Sequence, residues 1–486
     1  MTLAPRCMST QHPDNVSVPF FAASSVLAGE DEVREAYYAY SHLGCDEQMW
    51  DVEGKEIDTY VVKKLLTLDE SYFRNNVLGQ DLRLTLRVPN PEIERAEAKV
   101  LLETLESIPR SFDAAKLFYG VDIAPIFEVI LPMTTSAASI GRIFRYYRDF
   151  VVGRQSMRLG DDGPTIAEWI GEFGPQRVEV IPLFEDIPSM LRAAQMVEEY
   201  LSDKDVSYQR VFLARSDTAM NFGLASAALA NKIALEDLGE LSQRRGIGIH
   251  PILGMGSAPF RGGLDPSSVE RVVREYPSVV TYTIQSAFKY DHPVDAVRGA
   301  VAFLKAHTVG QPQPIDRERA LDLMERYSRA YRERIIQVAP TVNAFARLVP
   351  PRRARKLHIG LFGYSREVDG VTLPRAISFT CALYSAGLPP ELLAFESLSS
   401  DDLEFLCSAY PSFNRKIADA LRYCDPDGPL MTSDLREAIG RAGHEWATDH
   451  DHIAITRRLS STLCGTNDAT ARDFVVSAAA LRRFLG

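Results

Sequence analysis

Two acidic residues close two consecutive apolar runs: Glu185 ends RVEVIPLFE (177–185) and Asp217 ends RVFLARSD (210–217). Hard carboxylates at neighbouring strand ends suit magnesium or manganese, which take oxygen ligands and keep positions open for substrate. Taken singly, each reads as readily as a cap on the helix that follows. A third residue of interest is His12, in STQHPDN. Held beside proline and outside any periodic segment, it has the chemistry of a general base. By itself it reads more simply as a loop histidine, as do the other histidines, with His250 at a strand end the next candidate.

Anion-binding chemistry is concentrated in two stretches. GMGSAPFRGG (254–263) is a glycine-rich loop carrying Arg261. Its glycines permit close backbone approach to a ligand and closure over it, although the stretch lacks the Gly-Lys-Ser/Thr ending of a nucleotide-phosphate loop. PPRRARKLHIGLFGYSRE (350–367) holds Arg352, Arg353, Arg355, Lys356 and Arg366, and Arg375 follows in LPRAISF. Guanidinium groups form planar, two-pronged bonds to phosphate and carboxylate, so the cluster suits a doubly anionic substrate. The competing readings are a solvated charge run or a nucleic-acid patch.

These residues need elements to position them. Short β-rich apolar runs occur at 82–88, 125–132, 177–185, 210–217, 246–253 and 279–286. Helical patterns lie between most of them, including 91–108, 187–203 and 218–238. Such alternation implies a parallel sheet covered by helices. The runs are almost continuously apolar, as strands buried on both faces are. Arg87, Glu185, Asp217 and Gln285 gather at their C-terminal ends, where a TIM barrel collects catalytic groups. No glycine-rich dinucleotide fingerprint follows the first run, which weighs against a Rossmann sheet. The expected fold is therefore an α/β (β/α)8 barrel of TIM type with additional, mostly helical C-terminal elements. Most of the barrel is assigned to 1–312. Residues 313–486 are assigned to a helical part that contributes the 352–375 arginines and oligomer contacts, within one integrated catalytic unit.

Bulk properties narrow the class. At 486 residues, with 46% hydrophobic and 24% charged, the chain has ordinary globular composition. A formal charge of −11 argues against a basic nucleic-acid-binding surface. Cysteines at 7, 45, 381, 407, 424 and 464 show no C-x-x-C spacing, so reduced thiols in a cytoplasmic setting are expected. The opening MTLAPRCMSTQHPDN has no apolar leader core, Met8 is an alternative start, and no apolar run reaches membrane-spanning length.

Assembled in order, the segments resemble the archaeal-type phosphoenolpyruvate carboxylases over nearly the whole chain, as short relatives of the bacterial and plant enzymes. STQHPDN resembles their THPT-type motif, which implies that His12 is catalytic. IPLFEDIPSM and ARSDTAMNFG resemble their PLFET-type and YSDSAKDAG-type segments, implying Glu185 and Asp217 as ligands of Mg2+ (or Mn2+). RLTLRVPNP resembles an LDIRQES-type strand, so Arg87 is expected on the substrate phosphate, with Arg83 in reserve. FEVILPMTTSAASI is similar to a YVISMAKTPSDVL-type strand and loop. IQSAFKYD is similar to EQGEMIRFKYG, placing Gln285 and Lys289 among substrate-binding residues, and LPRAISF resembles LRAIPW, placing Arg375 there.

One departure stands out. The large enzymes carry two arginines in a GRGGSIGRGG-type loop, whereas GMGSAPFRGG keeps Arg261 and has Met255 where the first falls. Arg366 or Arg353 is the expected substitute. The resemblance implies a tetramer acting on phosphoenolpyruvate and bicarbonate, with neither nucleic acid nor membrane as partner. The ending LRRFLG differs from the asparagine-containing tail through which the bacterial enzymes bind an inhibitory amino acid, which leaves that form of feedback open. The rival readings are a magnesium-dependent aldolase or mutase acting on pyruvate-like enolates, and a non-catalytic metabolite-binding relative.

Overall fold

The computed structural model describes residues 4–52, 58–95, 98–354, 367–368, 370–462 and 468–486. Eight strands form a closed, all-parallel barrel in chain order: β1 (Cys7–Ser9), β2 (Glu47–Asp51), β3 (Arg83–Arg87), β4 (Glu128–Leu131), β5 (Glu179–Phe184), β6 (Tyr208–Ala214), β7 (Gly248–Gly254) and β8 (Thr281–Ile284). β1 pairs with β8 through Cys7–Tyr282, Met8–Thr283 and Ser9–Ile284, which closes the ring. The six expected runs become β3 to β8. β1 and β2 are additional to them.

Side chains of a strand alternate between faces, so every second residue points into the barrel. The interior is layered accordingly. At the N-terminal end, Arg210 of β6 reaches across to Glu47 of β2 at 2.6 Å and to Glu128 of β4 at 2.9 Å. Arg83 of β3 joins the same Glu128 at 2.9 Å. Above this charged layer sits an apolar one of Met8, Met49, Ile130, Ile181, Leu183, Phe212 and Ile252. Two residues further along, the inward positions reach the C-terminal mouth.

The expected helix over 218–238 is part of two helices, Ser216–Phe222 and Leu224–Arg245. They break at Gly223, whose φ is +85° and where a Cβ would lie 2.5 Å from the Tyr327 ring. That tyrosine belongs to the 30-residue helix Arg317–Ala346. Beyond it, the described residues form a two-stranded hairpin and a helical layer that includes Ala376–Ser385 and Asp468–Arg482. No helix among the described residues is long and apolar enough to cross a membrane.

Candidate active site

A cavity of about 560 Å³ opens at the C-terminal mouth of the barrel. Its wall includes His12, Arg87, Glu185, Asp217, Arg261, Gln285, Arg353 and Arg375. The first three lie on the inward register of their strands or just beyond it. The same register explains why Arg83 lies elsewhere. It is four residues before Arg87 on one strand face, roughly 13 Å lower, and is held by Glu128 in the charged layer. Arg83 is therefore corrected from a reserve substrate ligand to a component of the barrel interior.

His12 follows β1. Its Nδ1 lies 2.9 Å from Thr10 Oγ1, and that hydroxyl donates to the Ile284 carbonyl at 3.4 Å. The hydroxyl oxygen is thus the acceptor of Nδ1–H in this hydrogen-bond network, and Nε2 is the unprotonated nitrogen of the ring. Arg87 Nη1 faces Nε2 at 3.5 Å, and Arg87 Nε lies 3.7 Å from Asp51.

The two acids reach the mouth by different local devices. Glu185 does not cap the helix Ile187–Met190; the neighbouring Asp186 does, accepting from the Ser189 N–H at 2.8 Å. Glu185 Oε2 instead accepts the Met133 N–H at 2.7 Å. Met133 has φ +49°, a strained left-handed conformation for a side-chain-bearing residue. Asn90 secures that turn, donating to the carbonyls of Pro132 (2.9 Å) and Met133 (3.1 Å). Asp217 occupies the first turn of helix Ser216–Phe222, which has no side-chain cap. Met133 and Asn90 were not picked out by sequence reading; the one available signal was an asparagine between two prolines in VPNP.

Among the described residues no group of three or more His, Cys, Asp or Glu is placed to hold a metal. Two carboxylates with substrate oxygens and water completing the shell are nevertheless the usual protein share of a magnesium site. Glu185 and Asp217, on one cavity wall, fit that donor set.

The glycine-rich loop departs from the expected lid. It is buried and bonded to itself and to its surroundings: Gly256 N–H donates to Arg261 O, Leu264 N–H to Gly256 O, and Phe260 N–H to Glu391. Gly256 is required because a Cβ there would lie 2.8 Å from the Arg261 guanidinium carbon. Arg261 is 1% exposed. Its Nε donates to Ser216 Oγ at 3.1 Å, and Nη1 to Asp14 at 3.2 Å and to the Gly486 carbonyl at 2.7 Å. Nη2 donates to Gln285 Oε1. Gln285 thus lines the cavity as a partner of Arg261.

The remaining candidates divide. Arg375 is exposed at the cavity rim, at the start of helix Ala376–Ser385. Arg353 borders the cavity, but its guanidinium is committed to Glu32 (2.8 Å) and Glu35 (2.8 Å). Lys289 lies outside the cavity wall, bonded to Glu35 at 2.9 Å and to Ser9 Oγ and Thr10 O at 3.0 Å. Lys289 is therefore corrected as a direct substrate ligand, whereas Arg353, its guanidinium fixed by Glu32 and Glu35, keeps its place on the cavity wall. Arg366, with Arg355 and Lys356, lies outside the described residues. His250 is inside β7 near the charged layer, stacked on Tyr208.

A family model described as phosphoenolpyruvate carboxylase matches residues 4–486. The chain is 55% identical over 483 residues to the phosphoenolpyruvate carboxylase of Methanothermobacter thermautotrophicus, covering 99% of each chain. It is 51% identical to that of Methanospirillum hungatei, again over 99% of each, and 49% identical to that of Halobacterium salinarum over the whole of both.

Proposed function

The chain belongs to the phosphoenolpyruvate carboxylase family, and from that premise we propose how it forms oxaloacetate and phosphate from phosphoenolpyruvate and bicarbonate, as a carbon–carbon lyase. The observation that carries the reading is one cavity at a barrel mouth, walled by His12, Arg87, Glu185, Asp217 and Arg261, in a chain matched end to end by the family.

Arg87 and Arg375 are the guanidinium groups assigned to the phosphate and carboxylate of phosphoenolpyruvate. Arg261, fixed by Asp14, Ser216 and Gln285, presents its remaining donor capacity to the bicarbonate-derived group. Glu185 and Asp217 would hold a magnesium ion, which when bound neutralises charge on phosphate and enolate oxygens. A bicarbonate oxygen attacks phosphorus, the bridging P–O bond breaks, and carboxyphosphate and the enolate of pyruvate result. His12 Nε2 then takes the carboxyl proton of carboxyphosphate, the C–O bond breaks, and carbon dioxide and phosphate form. The enolate methylene carbon attacks carbon dioxide to give oxaloacetate. The buried loop at 254–263 and the apolar layer beneath the site limit water, which would otherwise protonate the enolate to pyruvate.

The test is oxaloacetate formation coupled to malate dehydrogenase, with and without bicarbonate. Bicarbonate-dependent NADH oxidation is expected. Consumption of phosphoenolpyruvate without oxaloacetate, or oxaloacetate formation indifferent to bicarbonate, would reject the assignment.

A further inference from the structure

We infer that Glu35, which belongs to none of the recognised sequence motifs, is a positioning residue for the carboxylation step, joining the His12 strand end to the 352–354 segment; this rests on the carboxylase reading above. Glu35 lies on helix Glu30–Ser41 and is 0% exposed. Its two oxygens accept five hydrogen bonds: from Lys289 Nζ (2.9 Å), Tyr290 Oη (2.9 Å), Arg353 Nη2 (3.0 and 2.8 Å) and Gln11 Nε2 (3.4 Å). That exhausts the acceptor capacity of a carboxylate.

Each donor fixes a different part of the site. Lys289 also donates to Ser9 Oγ and Thr10 O, and Thr10 Oγ1 meets His12 Nδ1. Gln11 precedes His12, and its Oε1 accepts the Asp51 N–H at 3.0 Å. Asp51 in turn faces Arg87, and Arg87 faces His12 Nε2. The contacts form a closed ring around the histidine. Arg353 carries the coupling outward: its neighbours pair with Leu27, through Leu27 N–H to Arg352 O at 3.0 Å and Ala354 N–H to Leu27 O at 2.9 Å. With Glu32 also on Arg353, two carboxylates balance two cations inside the protein, so the cluster presents no net charge to an anionic substrate.

The imidazole acts only after phosphoryl transfer, and proton abstraction is sensitive to small displacements of the base. Loosening the ring therefore penalises carboxylation more than phosphate release. The experiment compares Glu35→Gln, and the milder Gln11→Met, with the unmodified enzyme. Oxaloacetate, pyruvate and phosphate are measured in one mixture, alongside amide hydrogen exchange. In both variants oxaloacetate should fall on the order of tenfold more than bicarbonate-dependent phosphate release, with pyruvate making up the difference. Exchange should rise at residues 9–15, and in Glu35→Gln also at 352–354. Parallel loss of oxaloacetate and phosphate, or unchanged exchange in both segments, overturns the positioning role. Absence of bicarbonate-dependent oxaloacetate from the unmodified enzyme overturns the carboxylase reading instead.

Discussion

The Asp14 carboxylate, two residues past His12, lies 3.2 Å from Arg261 Nη1, and the main chain of Asp14 also accepts the Leu485 N–H at 2.7 Å. Asp14 additionally accepts the N–H of Ala287 at 2.7 Å. One side chain thus fastens the histidine loop to the glycine-rich loop and to the segment after β8. Burial raises its carboxyl pKa, against the opposing pull of Arg261. Arg261→Lys replaces a planar fork by a point charge that cannot serve Asp14, Ser216, Gly486 and Gln285 together. Steady-state kinetics should show kcat reduced on the order of a hundredfold. A loss below threefold would show that the fork is dispensable.

His12→Asn keeps a polar side chain at the strand end and removes the base. Oxaloacetate formation should fall by on the order of 10²–10⁴, while bicarbonate-dependent phosphate release persists. Simultaneous assay of the two products decides the matter: equal losses would take His12 out of the second step.

Glu185→Gln and Asp217→Asn each remove one hard, charged oxygen donor. The magnesium concentration for half-maximal activity should rise by roughly tenfold or more, and chelation should abolish activity in the unmodified enzyme. A metal titration curve that either variant leaves unmoved would remove that residue from the donor set.

Glu391 supplies a pH dependence. It is 1% exposed, accepts from Phe260 N–H and Tyr384 Oη, and burial pushes its pKa up to about 7. An acid whose folded pKa is raised binds its proton more tightly when folded. Its favourable contribution is therefore complete below its unfolded value near 4.5 and is lost as pH rises through about 7. Glu391→Gln should flatten the stability profile over that window and raise the melting temperature at pH 8 relative to the parent. A parent and variant that melt in parallel from pH 5 to pH 8 would contradict this.

How far the sequence disclosed the molecule depends on which contacts are local. β3 to β8 were legible because each is an apolar run flanked by turn chemistry. β1 was not, since Cys7–Ser9 is three residues long, and Glu47–Asp51 contains no β-branched residue. Both take their conformation from pairing within the closed ring. That Glu185, Asp217, His12 and Arg87 share one cavity was legible because strand ends and motif order mark them. Lys289 was misread as a substrate ligand because its partner, Glu35, lies more than 250 positions away in sequence on a helix with no motif. Arg83 shared a motif with Arg87, and only the strand register separates their depths.

The interlocked Arg210, Glu47, Glu128 and Arg83 side chains act as a stopper across the floor of the barrel. Four buried charges under a lid of methionine, isoleucine, leucine and phenylalanine fill the barrel beneath the cavity. In the proposed reaction, carbon dioxide formed at the mouth has a packed floor beneath it and the enolate beside it.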